Sequence, residues 1–216
     1  MIDLHSHTVF SDGVLIPSEL VRRAQFVGYT GLGISDHVDA SNIDWVVPRI
    51  VTVSRELNSV LPDIRVIPGV ELTHVPPAHI SALSVKARAL GAEIVIVHGE
   101  TIVEPVIEGT NRAALEADVD ILAHPGLISE EEVILARENG ILLEITTRKG
   151  HSLTNGHVAA LAAKHHAKMV LNTDSHEPSD LVSMDQAVRI VRGAGLQESD
   201  FHAMQKNAWV LCGMAG

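Results

Sequence analysis

Cysteine, aromatic residues and long apolar runs are all scarce in this sequence. Cys212 is the single cysteine, so an internal disulfide and a thiolate metal cage are excluded, and we interpret it as a small packed side chain. Two tryptophans, one tyrosine and three phenylalanines are too few for a base-stacking platform. No apolar stretch approaches the ~18 residues that a membrane span requires.

Positive charge is scarce as well. Sixteen lysines and arginines stand against 27 acidic residues, giving a formal net charge of −11. Such a balance argues against a broad basic surface, so polymeric nucleic acid is not an expected partner. No signal peptide is recognised, because the first predicted strand begins at Met1 and reaches His5 almost at once. We therefore expect a cytoplasmic protein without membrane contact, folded as one domain over residues 1–216.

Histidine, in contrast, is abundant. The chain has thirteen histidines among 216 residues, within a composition that is 46% hydrophobic and otherwise ordinary for a globular protein. Imidazole is a common metal ligand, so this excess is a first indication of metal chemistry.

Short β-branched runs alternate with segments of helical periodicity along the chain. This rhythm is typical of a parallel sheet wrapped by helices. About seven β/α units favour a compact barrel, although a doubly wound open sheet remains an alternative at this stage. The predicted strands are Met1–Leu4, Gly31–Ser35, Ile64–Leu72, Glu93–Val97, Asp120–Ala123, Ile141–Ile145 and Lys168–Asn172.

Proline, glycine and capping residues indicate where the helices begin and end. Pro17 opens the first helix, and Ser129 with Glu132 forms a capping box before another. A last, short helix is expected after Ser199. The predicted helices before it cover residues 17–28, 48–61, 77–91, 110–117, 129–139, 154–166 and 179–193.

Six of the seven predicted strands carry a histidine, aspartate or glutamate at or just beyond their carboxyl ends. In a barrel the carboxyl ends of all strands gather on one face, where such enzymes keep their active sites. His5 and His7 lie two apart on extended chain, so their side chains point the same way, and we expect the same of Asp174 and His176. The converging groups are His5, His7, Asp12, His37, Glu71, His98, His124, Asp174 and His176.

So many imidazoles and carboxylates in one crater would repel one another and lose hydration unless cations were present. Ligands of these two types, without thiolate, suit Zn, Mn or Fe(II). Nine ligands are too many for one ion and enough for two or three, with Glu71 as a reasonable bridge. Closely spaced ions activate a shared water and stabilise charge in phosphoryl displacement.

These residues and their order resemble the PHP family, named for the bacterial polymerase and histidinol phosphatase domains. The resemblance covers residue 2 to about residue 180. It is carried by His5-Ser6-His7, Asp12, Ser35-Asp36-His37, Gly69-Val70-Glu71, His98, His124-Pro125-Gly126 and Asp174-Ser175-His176.

The resemblance implies a distorted seven-stranded β/α barrel with three divalent ions, zinc, manganese or iron. By that pattern His5, His7, Glu71 and Asp174 bind the first ion, and Glu71, His98 and His124 bind the second. Asp12, His37 and His176 hold the third. Glu71, His176 and Arg148 are the predicted catalytic residues, and by the resemblance a hydroxide held between the ions attacks phosphorus.

Outside the nine metal ligands, Arg148 is predicted to clamp a substrate phosphate, with Lys149 assisting as a point charge. The alternative is that both belong to a solvated loop. His74 and His79 follow Glu71 and are interpreted as structural or solvated rather than substrate-binding. His157, His165, His166 and His202 fall on helices away from the strand ends, and we predict no functional role for them.

The leading functional hypothesis is hydrolysis of a phosphate ester of a small molecule. Histidinol phosphate and a nucleotide-derived phosphate are candidate substrates. The short chain leaves little material for a dedicated substrate lid, which disfavours histidinol phosphate. One alternative is a nuclease or phosphodiesterase, which the net charge disfavours. Another is a catalytically silent metal-binding module.

Overall fold

The computed structural model describes residues 1–213, so Met214 and the two residues after it lie outside the description. Within that range the chain alternates between parallel strands and helices, in the predicted order. The strands are β1 (Ile2–Asp3), β2 (Gly31–Ile34), β3 (His37–Val38), β4 (Arg65–Leu72), β5 (Ile94–His98), β6 (Ile121–Ala123), β7 (Leu142–Thr146) and β8 (Met169–Asn172). The helices are α1 (Pro17–Val27), α2 (Ile43–Val60), α3 (Pro77–Ala89), α4 (Thr110–Leu115), α5 (Glu130–Asn139), α6 (Asn155–His165), α7 (Met184–Gly193) and α8 (Glu198–Leu211).

The sheet has seven parallel strand positions around the barrel, which we call staves, and one of them is interrupted. Its parallel order is β1-β2-β4-β5-β6-β7-β8, and β3 pairs with the distal part of β4. β2 and β3 share one register on β4, because Ile34 lies opposite Pro68 and His37 lies opposite Glu71. They are therefore a single stave broken at residues 35–36, which agrees with the seven units predicted.

The barrel closes between β1 and β8 mainly through side chains. Leu4 N donates to Asn172 Oδ1 at 2.9 Å, and Thr173 N donates to Asp3 Oδ1 at 3.1 Å. Beyond the strand ends, a parallel bridge joins Ser6 to Ser175. Buried polar side chains thus replace part of the backbone ladder, which makes the barrel distorted and nearly closed. The prediction of a distorted seven-stranded barrel is confirmed, and the open-sheet alternative is wrong.

Helix α8 covers the end of the barrel opposite the strands' carboxyl ends. Its Ala208 packs into the cluster of buried residues that includes Ile2, Ile94 and Ile121, and Cys212 just beyond the helix joins the same cluster. Gln205 holds the helix in place, because its side chain accepts from Ile2 N at 2.7 Å and donates to Ile2 O at 3.0 Å. With this end closed, the carboxyl ends of the strands offer the open face.

The observed strand limits lie within one residue of the predicted ones. Helices α3 and α4 end two residues early, and three other helices differ more. α2 begins at Ile43 rather than at Pro48, and Pro48 within it removes one backbone hydrogen bond without ending the helix. α7 begins at Met184 after the capping residue Ser183, because Pro178–Asp180 forms a separate 3-10 turn. α8 has 14 residues and is not the short helix predicted.

The predicted capping box of α5 is present. Glu132 N donates to Ser129 Oγ at 3.3 Å, and Ser129 N donates to Glu132 Oε2 at 2.9 Å. These two bonds satisfy backbone donors that a helix start leaves open. Among the helices of residues 1–213, none is long and apolar enough to cross a bilayer.

Candidate metal centre

The carboxyl ends of the staves surround a crater. Its open part is a cavity of 240 Å³. The walls of that cavity are formed by Asp12, His37, Thr73, His74, His98, Glu104, Arg148, His151, Asp174 and His176. Below them lie His5, His7, Glu71 and His124, each at most 2% exposed.

Strand alternation explains why several of these side chains point inwards. Ile67, Ile96 and Leu142 belong to the cluster that fills the barrel. Glu71 and His98 lie an even number of residues after Ile67 and Ile96 on the same strands, so they continue the inward-facing series above the apolar layer. The sequence thus places an apolar layer at the bottom of the barrel and a polar layer on top of it.

The residues predicted to hold a first ion converge closely. His5 Nε2 lies 3.3 Å from Glu71 Oε1, and His7 Nε2 lies 3.2 Å from Asp174 Oδ1. The cross pairs, His5 Nε2 to Asp174 Oδ1 and His7 Nε2 to Glu71 Oε2, are both 3.8 Å. Adjacent ligands of one ion with bonds of ~2.0–2.2 Å lie about 3–3.5 Å apart, so this spacing fits a metal ion.

The second predicted group lies on the other side of Glu71. His124 Nε2 is 3.7 Å from Glu71 Oε1, and the His98 and His124 rings are 4.4 Å apart between centroids. Glu71 therefore contacts both the first and the second group through the same oxygen, as a bridging carboxylate would.

The third predicted group lies nearer the surface. Asp12 Oδ1 is 3.1 Å from His176 Nε2 and 3.4 Å from His37 Nε2. His37 also contacts Glu71 through Nδ1, at 2.5 Å from Oε2. The structure thus brings all nine predicted ligand residues together, with Glu71 at the centre.

Buried polar atoms without hydrogen bonds test whether these residues fit metal ions. Among the described residues, His5 Nε2, His7 Nδ1 and Nε2, His124 Nδ1 and Glu71 Oε1 are buried and have no hydrogen-bond partner. Leaving a buried polar atom unsatisfied costs roughly 1–3 kcal/mol, and more for a charged group. Three of these atoms, His5 Nε2, His7 Nε2 and Glu71 Oε1, face the centre of the site, where divalent cations would satisfy them.

Two of the central imidazoles are held in the form that binds metal. Burial, aided by the neighbouring His37 and His5, holds the pKa of His7 well below its usual range. Burial likewise holds the pKa of His124 well below its usual range, with His98 adding to the effect. Both rings are therefore neutral at physiological pH, and neutral imidazole is the species that ligates metal ions.

Neighbouring carboxylates change the pKa of His5 in the opposite direction. Burial disfavours its charged form, but Glu144, Glu71 and Asp174 together outweigh burial and raise the pKa of His5 well above its usual range. Burial also raises the pKa of Asp174 to about 7. This excess of buried negative charge around one imidazole is what a bound cation would neutralise.

Glu144 is a functional candidate that the strand-end analysis missed. It lies inside β7, fully buried, and His5 Nδ1 lies 2.8 Å from its Oε2. Asn172 Nδ2 donates to the same oxygen at 2.9 Å. A carboxylate of this kind orients a metal-ligating histidine and sets its tautomer. The signal in the sequence was a charged residue two positions after Leu142 on an otherwise apolar strand.

Asp36 is buried but supports the site rather than facing it. Its carboxylate accepts from Thr8 N and Thr8 Oγ1, both at 2.8 Å, and from Ser11 Oγ at 2.7 Å. These bonds hold the loop that carries Asp12.

The backbone at two candidate ligands departs from the expected extended form. Asp174 has φ of 53° and His124 has φ of 28°, both in the left-handed region. The prediction that strand alternation aligns Asp174 with His176 is therefore wrong. A tight turn brings them together instead, and His176 Nδ1 lies 3.0 Å from the Asp174 carbonyl oxygen. Strain of this kind persists where surrounding contacts enforce it, and it is common at functional sites.

Arg148 lines the crater, whereas Lys149 lines an adjoining cavity of 330 Å³ that also contains Arg148 and His176. Arg148 Nη1 donates to the Asp174 carbonyl oxygen at 3.1 Å, and its Nε lies 3.5 Å from Asp174 Oδ2. Both cations thus stand on the rim, where a phosphate clamp was predicted.

The other histidines divide into two sets. His74 and His151 both line the crater and contact Glu104, although neither was predicted to have a functional role. His79, His157, His165, His166 and His202 line none of the crater walls.

Comparison with known proteins gives the family. The PHP domain model matches residues 3–177. The chain belongs to the PHP family. An uncharacterized protein of Methanocaldococcus jannaschii is 50% identical over 199 residues, covering 92% of this chain and 91% of its own length.

More distant relatives of this PHP protein have different names. The ribonuclease P protein component 3 of Methanosarcina mazei is 29% identical, covering 88% of this chain and 79% of its own length. A probable phosphatase of Clostridium botulinum is 27% identical, covering 92% of this chain and 88% of its own length.

Two solved structures share the fold. A chain in the cryo-EM structure of archaeal ribonuclease P with mature tRNA has a TM-score of 0.71 at 18% identity, covering 97% of this chain and 90% of its own length. The Lactococcus lactis histidinol phosphate phosphatase, complexed with zinc, L-histidinol and phosphate, has a TM-score of 0.62 at 17% identity. It covers 91% of this chain and 94% of its own length. At such identities the likeness establishes the barrel alone.

Proposed function

We propose that this PHP protein is a metal-dependent phosphoesterase that hydrolyses the phosphate ester of a small molecule. The main support is the convergence of His5, His7, Glu71 and Asp174 at ligand–ligand distances of 3.2–3.8 Å, with buried atoms that no hydrogen bond satisfies. The relatives named as probable phosphatases point the same way.

Three divalent ions, zinc, manganese or iron, are the cofactors we propose. His5, His7, Glu71 and Asp174 would hold the first, Glu71, His98 and His124 the second, and Asp12, His37 and His176 the third. Bound ions of this kind polarise a phosphate ester and lower the pKa of a bound water.

The residues of the chain itself supply positioning. Glu71 stands between the first two groups, because its Oε1 lies near His5 of the first and His124 of the second. Glu144 accepts from His5 Nδ1–H, which leaves the His5 Nε2 lone pair facing the crater. Arg148 presents guanidinium N–H groups at the rim, where they can donate to two phosphate oxygens.

The size of the crater supports a small substrate. Two adjoining cavities of 240 and 330 Å³ suit a small phosphorylated molecule, with its leaving group near Arg148 and Lys149. Asp180 and Glu177 also line that second cavity. A leaving group there would contact both positively and negatively charged side chains, which suits a polar metabolite.

Action on RNA is the second candidate function. It is favoured by the relatives named as ribonuclease P protein component 3 and by the shared fold with a chain of archaeal ribonuclease P. The net charge of −11 weighs against independent binding to RNA, because phosphate contacts supply most of such affinity. If this function applies, we expect it to depend on a basic partner or on RNA contacts confined to a small surface.

The first test is phosphate release from a panel of phosphomonoesters and nucleoside bisphosphates, with protein reconstituted in Mn²⁺ or Zn²⁺ beside a chelator-treated sample. We expect metal-dependent turnover of one compound class, together with loss of both turnover and bound metal in His7→Ala and Glu71→Ala. His79→Ala, which changes an exposed histidine outside the crater, is the matched control. Unchanged hydrolysis in the two site variants would contradict the assignment.

A parallel assay addresses the second candidate. Precursor tRNA and short oligonucleotides are offered to the metal-loaded protein at several salt concentrations. Cleavage or salt-sensitive binding, with no release from any monoester, would favour action on RNA over the small-molecule phosphatase.

A further inference from the structure

Four side chains meet at one side of the crater. One of them, His98, is a predicted metal ligand, and the other three are not. Glu104, on the loop between β5 and α4, is at the centre of this rim cluster of His74, His98, Glu104 and His151. Glu104 Oε2 lies 3.2 Å from His98 Nε2 and 3.3 Å from His74 Nε2. Its other oxygen, Oε1, lies 3.4 Å from His151 Nε2.

The tautomer of His98 makes this contact informative. His98 Nδ1 lies 3.2 Å from the Gly99 carbonyl oxygen, which can only accept, so Nδ1 carries the proton. Nε2 then faces the Glu104 carboxylate at 3.2 Å, a position in which the two groups share a cation, either a proton or a metal ion.

The ring of His151 is also oriented by a contact of its Nδ1 atom. It is 5% exposed, and its Nδ1 lies 2.7 Å from Thr101 Oγ1, so the hydroxyl holds the ring with Nε2 directed at the cluster. Its ring is nearly parallel to that of His124, at 16° and 4.2 Å between centroids. One ring nitrogen from each of His98, His124 and His151 can lie within 4.8 Å of the other two.

We propose that Glu104 and His151 are additional ligands of the second ion, joining His98, His124 and Glu71. The inference rests on the metal centre of the proposed function and extends its ligand set beyond the nine residues predicted from the sequence. The separations of 3.2–3.4 Å around Glu104 equal those of neighbouring ligands on one ion.

Such a ligand set changes what the second ion can do. With five protein groups around it, few coordination positions remain for substrate. Substrate would then bind mainly towards the first and third groups, which is the side where Arg148 stands. Glu104 also comes from a loop at the mouth of the crater, so metal binding there would tie this loop to the barrel.

The test compares metal affinity in Glu104→Gln and His151→Asn with two matched controls. Glu108→Gln changes an exposed glutamate on the same loop, and His79→Asn changes an exposed histidine. Each protein is loaded with Co²⁺ alone, and bound metal per chain is measured during titration with a chelator. The visible Co²⁺ spectrum reports coordination separately from activity.

We expect both site variants to lose one ion per chain at chelator concentrations at least about 10-fold lower than the wild type does, with an altered Co²⁺ spectrum. The controls should behave as the wild type. Unchanged affinity and spectrum in both site variants would overturn the proposal. Circular dichroism of the metal-free proteins verifies folding, and Glu104→Asp, which keeps the carboxylate, should retain more affinity than Glu104→Gln.

The two proposals can fail independently. Absence of phosphate release, together with weakened metal binding in both site variants, would reject the phosphatase alone. Phosphate release by the wild type, together with unchanged metal binding in both site variants, would reject the extended ligand set alone.

Discussion

Replacing Glu144 by glutamine is expected to weaken metal binding and to change the stability of the metal-free fold less than that of the metal-loaded protein. The glutamine oxygen can still accept from His5 Nδ1 and from Asn172 Nδ2, which now contact Glu144 Oε2 at 2.8 and 2.9 Å. What is lost is the negative charge that makes the His5 ring a stronger ligand. Because both side chains are 0% exposed, solvent screens that charge little.

The magnitude follows from the position of Glu144 behind a single candidate ligand. Losing such an outer partner typically costs 10–100-fold in metal affinity, which is about 1.4–2.8 kcal/mol. With metal in large excess, stabilisation by binding falls by the same amount. For a chain of this size, the melting temperature of the metal-loaded protein should fall by roughly 3–11 °C relative to wild type.

The metal-free protein should change less. Without a cation, the substitution removes the attraction of Glu144 for His5 and also the repulsion between Glu144 and Asp174, so the two effects partly cancel. Thermal melts of metal-free and metal-loaded samples, with metal content measured in each, separate the two effects. Glu138→Gln, an exposed change at the end of α5, is the control. An equal loss of stability in both states would refute the reasoning, because it would make Glu144 a purely structural residue.

Three further outcomes are expected. Arg148→Ala should raise KM or lower kcat/KM for the substrate found in the panel without changing bound metal, and normal kinetics would assign Arg148 to the solvated loop. Gly126→Ala should destabilise the fold by about 2 kcal/mol or more in chemical denaturation, since its Cβ would lie 1.8 Å from the Glu100 carbonyl oxygen. Gly109→Ala, also at positive φ but with no described atom within 4 Å of its Cβ, should cost about 1 kcal/mol, and equal costs would contradict the clash. Cys212, buried and with its thiol pKa raised by burial to about 12, should react slowly with iodoacetamide at pH 8 and rapidly in urea, and fast native labelling would contradict the packing.

The strand ends explain why so much of this site was predictable. Parallel β/α units have only a few ways to pack, and each places the carboxyl ends of the strands at one face. His5, Glu71, His98 and His124 could therefore be assigned to one crater from their position after an apolar run. The same rule predicted the seven staves, because β-branched runs and helical segments alternate with short connections.

Residues away from the strand ends were not predictable in the same way. Glu144 lies within β7, where a charged side chain is tolerated only because His5 and Asn172 from other staves meet it. Glu104 belongs to an irregular loop, whose path no periodicity describes. Asp174 reaches the crater through a left-handed turn rather than through strand alternation.

The sequence by itself determined the barrel, its open face and the chemical type of the site, since these follow from local periodicity and from which residue comes after each strand. The tertiary structure alone decided which side chains are partners. Contacts such as those of His5 with Glu144 and of His151 with Glu104 join residues that are 139 and 47 positions apart. Whether residues so far apart in the sequence meet depends on how the barrel closes and how the loops fold over it. Only the packed chain specifies both.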